Sequence, residues 1–225
     1  MLLITFMFQV LTDYPNLQKV VPNLVKNDVV EVFKADKNFK LESVLNDNNL
    51  NDDDKVKAIS THLKGAVLNQ VGGAKVIGIN FSARTKLEVR EWPEGMPDLG
   101  HFEDEVWAGK TRESRAKEER ELPLKRYHFP RPFAVCRLPH KDISMQSVVK
   151  DSGDFRMYQG VWRMQPLPGC APSGENAMRL TYAVELSPRA ILPVGLIENR
   201  IAMVMFFEKY HLLLSISLTL HCFLI

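Results

Sequence analysis

The chain is poor in the residues on which disulfides and metal sites depend. Its three cysteines, Cys136, Cys170 and Cys222, are odd in number, widely separated and without CxxC spacing, so neither a disulfide framework nor a zinc site is indicated. The six histidines show no HExxH or HxxxH spacing, which argues against a histidine metal site. We therefore predict no metal ligands and no cofactor.

Motifs of nucleophilic catalysis and phosphate binding are also missing. The chain has no GxSxG elbow, the glycine pair at 72–73 lacks the GxxxxGK[ST] frame, and Cys136 has only scattered histidines to offer as a base. The acidic stretch 46–54 resembles a calcium loop only superficially, because Asp52 stands where glycine is needed and Ala58 where glutamate is needed. We name no catalytic residue.

A strong charge of either sign is absent as well. The 225 residues carry a formal net charge of +2, whereas a nucleic-acid-binding face needs a clear basic excess, so no nucleic acid partner is predicted. The 45% hydrophobic content is enough for one substantial core and indicates one domain. Residues 1–11 are apolar but lack the basic start and small-residue cleavage site of a signal peptide.

The clearest positive signal is alternation of apolar and polar residues. It runs over 154–165 and 177–186, and the break at 166–176 has three prolines and two glycines, which predicts a hairpin. A long strand with one dry face is predicted over 79–90. Shorter strands are predicted over 26–33, 133–137 and 143–149.

Helical periods appear in three places. Residues 8–25 predict short helices interrupted before Pro15 and Pro22, because the residue before proline disfavours the helical region. Segment 55–71 allows two interpretations, a helix through Val56 and Ile59 or a strand limited to 65–71. After residue 186 the period changes to about three and a half, which predicts a helix packed on the sheet.

Two further segments leave alternatives open. The charged stretch 103–126 has almost no apolar stripe and indicates a solvated helix or mobile insertion; the alternative is a docking surface for a protein or an anionic membrane, anchored by Trp107. Residues 203–225 form an atypical apolar helix or tail. Their uninterrupted apolar run is shorter than the roughly 20 residues of a membrane span, and a membrane anchor, a buried helix and an aberrant terminus all remain open.

Four segments together resemble one protein family. FQVLTDYPNLQKVVPNLVKNDVVEV is similar to the opening of the START-like polyketide cyclase/dehydrase and lipid-transport superfamily, in particular its coenzyme Q-binding START branch. Phe8 replaces the usual tryptophan of that opening, and the matching residues are Leu11, Thr12, Asp13, Tyr14, Leu17, Pro22 and Leu24. Further similarity lies in LNQVGGAKVIGINFSARTKLEV, GDFRMYQGVWRM and LTYAVELSPRAILPVGLIENRIA.

The resemblance implies an α+β helix-grip fold, in which a curved antiparallel sheet wraps around a long C-terminal helix and encloses a hydrophobic cavity. It favours the strand interpretation of 65–71 and a single START-like domain over 1–202, with insertions near 35–62 and 95–130. It also implies binding, transport or presentation of a lipid, prenyl quinone or isoprenoid, transient membrane contact and a plastid location. The oligomeric state is not predicted.

On this view the inward rows of the strands line the cavity. Trp162 falls on the opposite parity from Phe155 unless Gly160 marks a bulge that turns it toward the ligand; otherwise it is a structural residue at the sheet edge. Arg84 and Tyr182 are candidates for orienting a polar head group at the mouth. The expected lining residues are Phe81, Ala83, Arg84, Thr85, Leu87, Met145, Phe155, Met157, Trp162, Leu180, Tyr182 and Val184.

Two rival interpretations concern the interior. A solid core is also compatible with the sequence, because burying six of the apolar side chains on the dry faces of the strands contributes on the order of 10 kcal/mol. A cyclase or dehydrase would need an acid or base projecting into the cavity, and no inward row contains an obvious one.

Overall fold

The computed structural model describes residues 2–76, 79–97, 125–130, 138–148, 152–168, 170, 176–189 and 214–222. These residues form an α+β fold with one sheet. The helices are α1 (Leu2–Thr12), a 3-10 helix (Tyr14–Lys19), α2 (Leu41–Leu45) and α3 (Asp52–His62). The strands are β1 (Leu24–Phe33), β2 (Gly65–Val76), β3 (Ile79–Trp92), β4 (Lys141–Ser147), β5 (Phe155–Pro166), β6 (Met178–Pro188) and β7 (Leu214–Cys222).

The strands follow one another across the sheet in chain order. From β1 to β6 every neighbouring pair is antiparallel, which confirms the predicted antiparallel sheet and the hairpin of β5 and β6. β7 then pairs parallel with β6. The helix predicted after residue 186 falls mostly on 190–202, which lie outside the described residues, as do the predicted strand at 133–137 and the charged stretch 103–124.

Part of the prediction for 203–225 is wrong, because residues 214–222 form a strand and not a helix. The physical reason is visible in LSISLTLHC, where leucine and isoleucine alternate with serine, threonine and histidine. That period of two is the strand signal, and it is hidden within a segment whose overall composition is apolar.

Both interpretations of 55–71 hold in part. α3 begins after Asn51, whose side chain accepts a hydrogen bond from the Asp54 backbone N–H, and three aspartates in the first turn suit the helix N-terminus. The helix ends at His62, and β2 begins at Gly65. A Cβ at Gly65 would lie 2.0 Å from the Val89 carbonyl oxygen, so only glycine permits this close pairing of β2 with β3.

The sheet is covered on both faces. The inner face, as we call it, packs against α1 and the 3-10 helix through Ile4, Met7, Leu11 and Leu17. The outer face packs against α3 through Val56 and Ile59, in a cluster that includes Trp92 and Phe129. Residues 35–62, which contain α2 and α3, therefore cover part of the outer face. Within the described ranges, no helix is long and apolar enough to cross a membrane.

Candidate functional site

Most of the predicted cavity residues share the inner face of the sheet. Along each strand these residues alternate with residues of the outer face, and cross-strand partners lie on the same side of the sheet. The side chain of Phe81 lies outside the description, and Arg84 and Met157 are exceptions. The predicted residues on the inner face are Ala83, Thr85, Leu87, Met145, Phe155, Trp162, Leu180, Tyr182 and Val184.

The prediction for Arg84 is wrong. Its neighbours Ala83 and Thr85 point inward, so strand alternation sends the exposed Arg84 side chain the other way. Its backbone pairs with Asp154, whose carboxylate accepts the Arg84 N–H at 2.6 Å and whose own N–H donates to the Arg84 carbonyl at 2.8 Å. The Arg84 backbone thus fixes the turn before β5, and the Arg84 side chain does not lie on the inner face.

The prediction for Met157 is also wrong, because β5 is irregular at its start. The register with β6 shifts between Phe155 and Met157, so Met157 pairs with Ser187 on the outer face. Tyr158 takes the inner position instead, paired with Leu186. The same irregularity brings Trp162 to the inner face, whereas the sequence interpretation needed a bulge at Gly160.

Trp162 and Tyr182 stack on each other across β5 and β6. Their ring centroids are 4.3 Å apart and their planes differ by 14°. Gly160 makes room for this arrangement, since a Cβ there would lie 3.1 Å from a Tyr182 ring carbon. With Met145 and Tyr158, these rings form what we call the inner aromatic patch.

The two tyrosines of the patch are joined through their hydroxyl groups. The Tyr158 and Tyr182 hydroxyls share a short hydrogen bond, and the Tyr182 hydroxyl lies 3.7 Å from the Met145 sulfur. Burial raises the pKa of both tyrosines, and the neighbouring Tyr158 raises that of Tyr182 further. Both hydroxyls are therefore neutral at physiological pH. Together they place an uncharged hydrogen-bonding group on an apolar surface.

Coverage of the inner face is uneven. Leu180 and Val184 are fully buried, and near α1 the interior is filled by the protein's own side chains. Met145, Tyr158 and Ala83 point inward yet keep part of their surface exposed. The hydroxyl of Thr85 is buried without a hydrogen-bond partner among the described residues. Within the patch, Met145 and Tyr158 are thus partly exposed, whereas the Trp162 and Tyr182 rings are buried.

Sequence analysis missed an inner-face carboxylate, Glu91. The Tyr14 hydroxyl donates to its Oε1 at 2.9 Å, and the Lys64 ammonium lies 3.2 Å from Oε2. The Asn27 amide donates to the Tyr14 carbonyl and accepts from Gln70, so the network links the 3-10 helix to three strands. Burial, followed by the Glu91 charge, raises the pKa of Tyr14. Because both carboxylate oxygens are engaged, Glu91 holds the helix in place and is not a free acid or base.

The outer face holds a second buried polar cluster. Arg163 binds Asp142 in a two-pronged ion pair, with Nε 3.0 Å from Oδ1 and NH2 2.8 Å from Oδ2. His140 lies 3.4 Å from Asp142, and the Met96 N–H donates to the same carboxylate. Burial raises the pKa of Asp142, but the hydrogen bonds from His140 and Arg163 outweigh it and hold that pKa low. The Asp142 carboxylate is held by Arg163 and by the Met96 N–H, which indicates a structural role.

The described part of the chain contains no group of three side chains suited to hold a metal ion. Comparisons with protein-family models, curated proteins and solved structures find no match to this chain.

Proposed function

We propose that this protein binds a hydrophobic small molecule at the inner aromatic patch and carries or presents it without chemical change. The observation that supports this proposal best is the partial exposure of Met145 and Tyr158 on the inner face. Side chains of this size on a dry face normally gain about 1.5–3 kcal/mol each from full burial. A ligand laid on the patch would supply the burial that the protein leaves incomplete.

The chemistry of the patch favours a neutral ligand. Its polar groups are two protonated hydroxyls, and no cation among the described residues forms a hydrogen bond or ion pair with them. An ionised carboxylate or phosphate buried there would lose its hydration without gaining a counter-charge, which is costly. A carbonyl, ether or hydroxyl group can instead exchange hydrogen bonds with the tyrosine pair. A lipid, prenyl quinone or isoprenoid fits this description, in agreement with the family resemblance.

The proposed ligand is held by shape and apolar contact, with a single polar anchor. The Trp162–Tyr182 stack provides a rigid aromatic floor, and the Met145 side chain can adapt to the ligand, since methionine is unbranched and polarizable. Glu91 is shielded by Tyr14 and Lys64, which supports a carrier over a cyclase or dehydrase.

A neutral, environment-sensitive lipid dye tests this proposal. We expect its emission to rise on binding and to be reversed by neutral isoprenoids but not by fatty acids of similar size. Met145→Lys should abolish the rise, because it buries a charge in the patch. Leu41→Lys is the matched control, since Leu41 is 39% exposed on α2, away from the inner face. Equal dye binding by the two variants would contradict the proposal.

A further inference from the structure

The hydroxyl of Thr85 is a buried polar group on the inner face that the protein leaves unsatisfied. Thr85 lies on β3 between Ala83 and Leu87, which both pack inward, and it is 7% exposed. Its Oγ1 has no hydrogen-bond partner among the described residues. Its cross-strand neighbour Gln70 donates a side-chain N–H to Asn27 at 2.9 Å, toward β1 and away from β3. A buried hydroxyl without a partner is costly, because it has given up its hydrogen bonds with water.

Thr85 lies beside the start of β5, which leads into the inner aromatic patch. Gly153 packs on the Thr85 backbone, since a Cβ at Gly153 would lie 3.0 Å from the Thr85 Cα. Phe155 follows two residues later, and its ring meets the Tyr158 ring edge to face, with 5.6 Å between centroids. The Tyr158 hydroxyl in turn bonds to that of Tyr182. Inner-face residues thus lead from Thr85 past Phe155 to the tyrosine pair.

The inner face is shallow next to Thr85. Ala83, two residues before it, points inward and keeps part of its surface exposed. The β2 partner of Ala83 is Gly72, and a Cβ at Gly72 would have its nearest described contact, the Ala83 carbonyl oxygen, at 3.9 Å. A pair of residues with so little side chain leaves room for part of a ligand beside the Thr85 hydroxyl.

The spacing of Thr85 and the tyrosine pair follows from the register of the sheet. The Tyr158 N–H donates to Ser147 Oγ on β4, and Ser147 pairs with Leu87, two residues after Thr85. Two strand spacings of about 4.8 Å and two residues of about 3.3 Å place the Tyr158 and Thr85 backbones on the order of 10 Å apart. A ligand can therefore reach both hydroxyl sites at once only if it carries two separate polar groups.

We propose that Thr85 determines the specificity of the inner aromatic patch, and that the preferred ligand carries two neutral polar groups. This inference rests on the proposed function. One hydroxyl or carbonyl group meets the Tyr158–Tyr182 pair, the second meets Thr85, and the apolar stretch between them packs beside Phe155. The Thr85 hydroxyl can donate to either kind of group. A ligand with a single polar group leaves one of the two sites unsatisfied and binds more weakly.

Displacement of a neutral lipid dye by α,ω-alkanediols, and by primary alcohols of the same chain length, tests the proposal. The wild-type preference for diol over matched alcohol should peak at the chain length that bridges the two sites. Thr85→Val replaces the hydroxyl with a methyl group and should lower the diol affinity about tenfold, the effect of one hydrogen bond. Alcohol affinity should not change, because a single hydroxyl still has the tyrosine pair. Thr85→Ser is the matched control, since it keeps the hydroxyl and should retain the preference.

Thermal unfolding of the ligand-free variants gives a second measurement. Thr85→Val should unfold at no lower temperature than the wild type, because the removed hydroxyl has no protein partner to lose. A clear drop would show that the protein itself satisfies the hydroxyl, and it would overturn the proposal. Diol and alcohol binding that does not depend on Thr85 would overturn this inference and leave the proposed function intact. Wild-type protein that binds neither compound nor the dye would contradict the proposed function, and this inference with it.

Discussion

Trp162 lies face to face with Tyr182, with 4.3 Å between ring centroids, and Gly160 sits beside the pair with no side chain of its own. The stack depends on this gap, because a Cβ at Gly160 would crowd the Tyr182 ring and hydroxyl at 3.1 and 3.2 Å. One glycine thus determines the shape of the surface to which we assign ligand binding.

Gly160→Ala should push the Tyr182 ring out of the stack. We expect a loss of about 1–3 kcal/mol in the free energy of unfolding, the usual cost of overpacking, together with weaker dye binding. Gly72→Ala is the matched control, because its Cβ would come no closer than 3.9 Å to the Ala83 carbonyl oxygen. Urea denaturation measures both variants, and a Gly160→Ala protein as stable as the control would show that the gap is unimportant.

Tyr182→Phe keeps the ring stack and removes the shared hydroxyl hydrogen bond. We expect a loss of about 1 kcal/mol in stability, the typical net value of one hydrogen bond. Affinity for a ligand with a carbonyl or hydroxyl group should fall, while affinity for a pure hydrocarbon should stay the same. Isothermal titration with the two ligand types checks this. Equal losses for both ligands would mean that the hydroxyl pair plays no part in recognition.

Stability should fall steeply in alkali. The pKa values of Tyr14, Tyr158 and Tyr182 are raised above the ordinary 10.0, so the unfolded chain ionises first as the pH rises. The stabilisation that these tyrosines contribute is complete below pH 10. Above pH 10 the free energy of unfolding falls by about 1.4 kcal/mol per pH unit for each tyrosine that stays protonated in the folded protein. Tyr14→Phe should make this slope shallower, as measured by urea titrations at increasing pH. An unchanged slope would mean that Tyr14 ionises in the folded protein.

The outer-face cluster should govern stability on the acid side. The lowered pKa of Asp142 means that its contribution is present above its ordinary pKa of 3.8 and is lost as the pH falls. The interaction with Asp142 raises the pKa of His140. The stabilisation that protonated His140 contributes is therefore complete below pH 6.5, and it is lost as the pH rises through the pKa of His140 in the folded protein.

Arg163→Met leaves the Asp142 carboxylate buried without its main counter-charge and should cost about 3–5 kcal/mol at neutral pH. His140→Gln should lower the free energy of unfolding by less. Its loss of stability relative to the wild type should be greatest in mild acid. Unfolding curves between pH 4 and pH 8 separate the two variants. An Arg163→Met protein of wild-type stability would contradict the assigned role of the ion pair.

Local periodicity was enough to predict much of the fold. The alternation in β3, β5 and β6 predicts these three strands, and the turn-rich break at 166–176 predicts the hairpin of β5 with β6. The break at Pro15 also fits, since the 3-10 helix has proline in its first turn. The alternation of β7 was present too, but the apolar composition around it suggested a helix.

Features that depend on distant partners could not be read in this way. Tyr14 and Glu91 are 77 residues apart, and no local pattern signals their hydrogen bond. The irregularity before Met157 depends on how β5 pairs with the end of β6, so parity counted from Phe155 placed Met157 inward and left Tyr158 out of the predicted site.

Native mass spectrometry of the purified protein tests the central proposal most directly. We expect a co-purifying adduct of lipid or isoprenoid mass that is released by organic solvent and is absent from Met145→Lys but present in Leu41→Lys. Protein of bare chain mass, which also fails to take up neutral lipids added in vesicles, would contradict ligand binding at the inner aromatic patch.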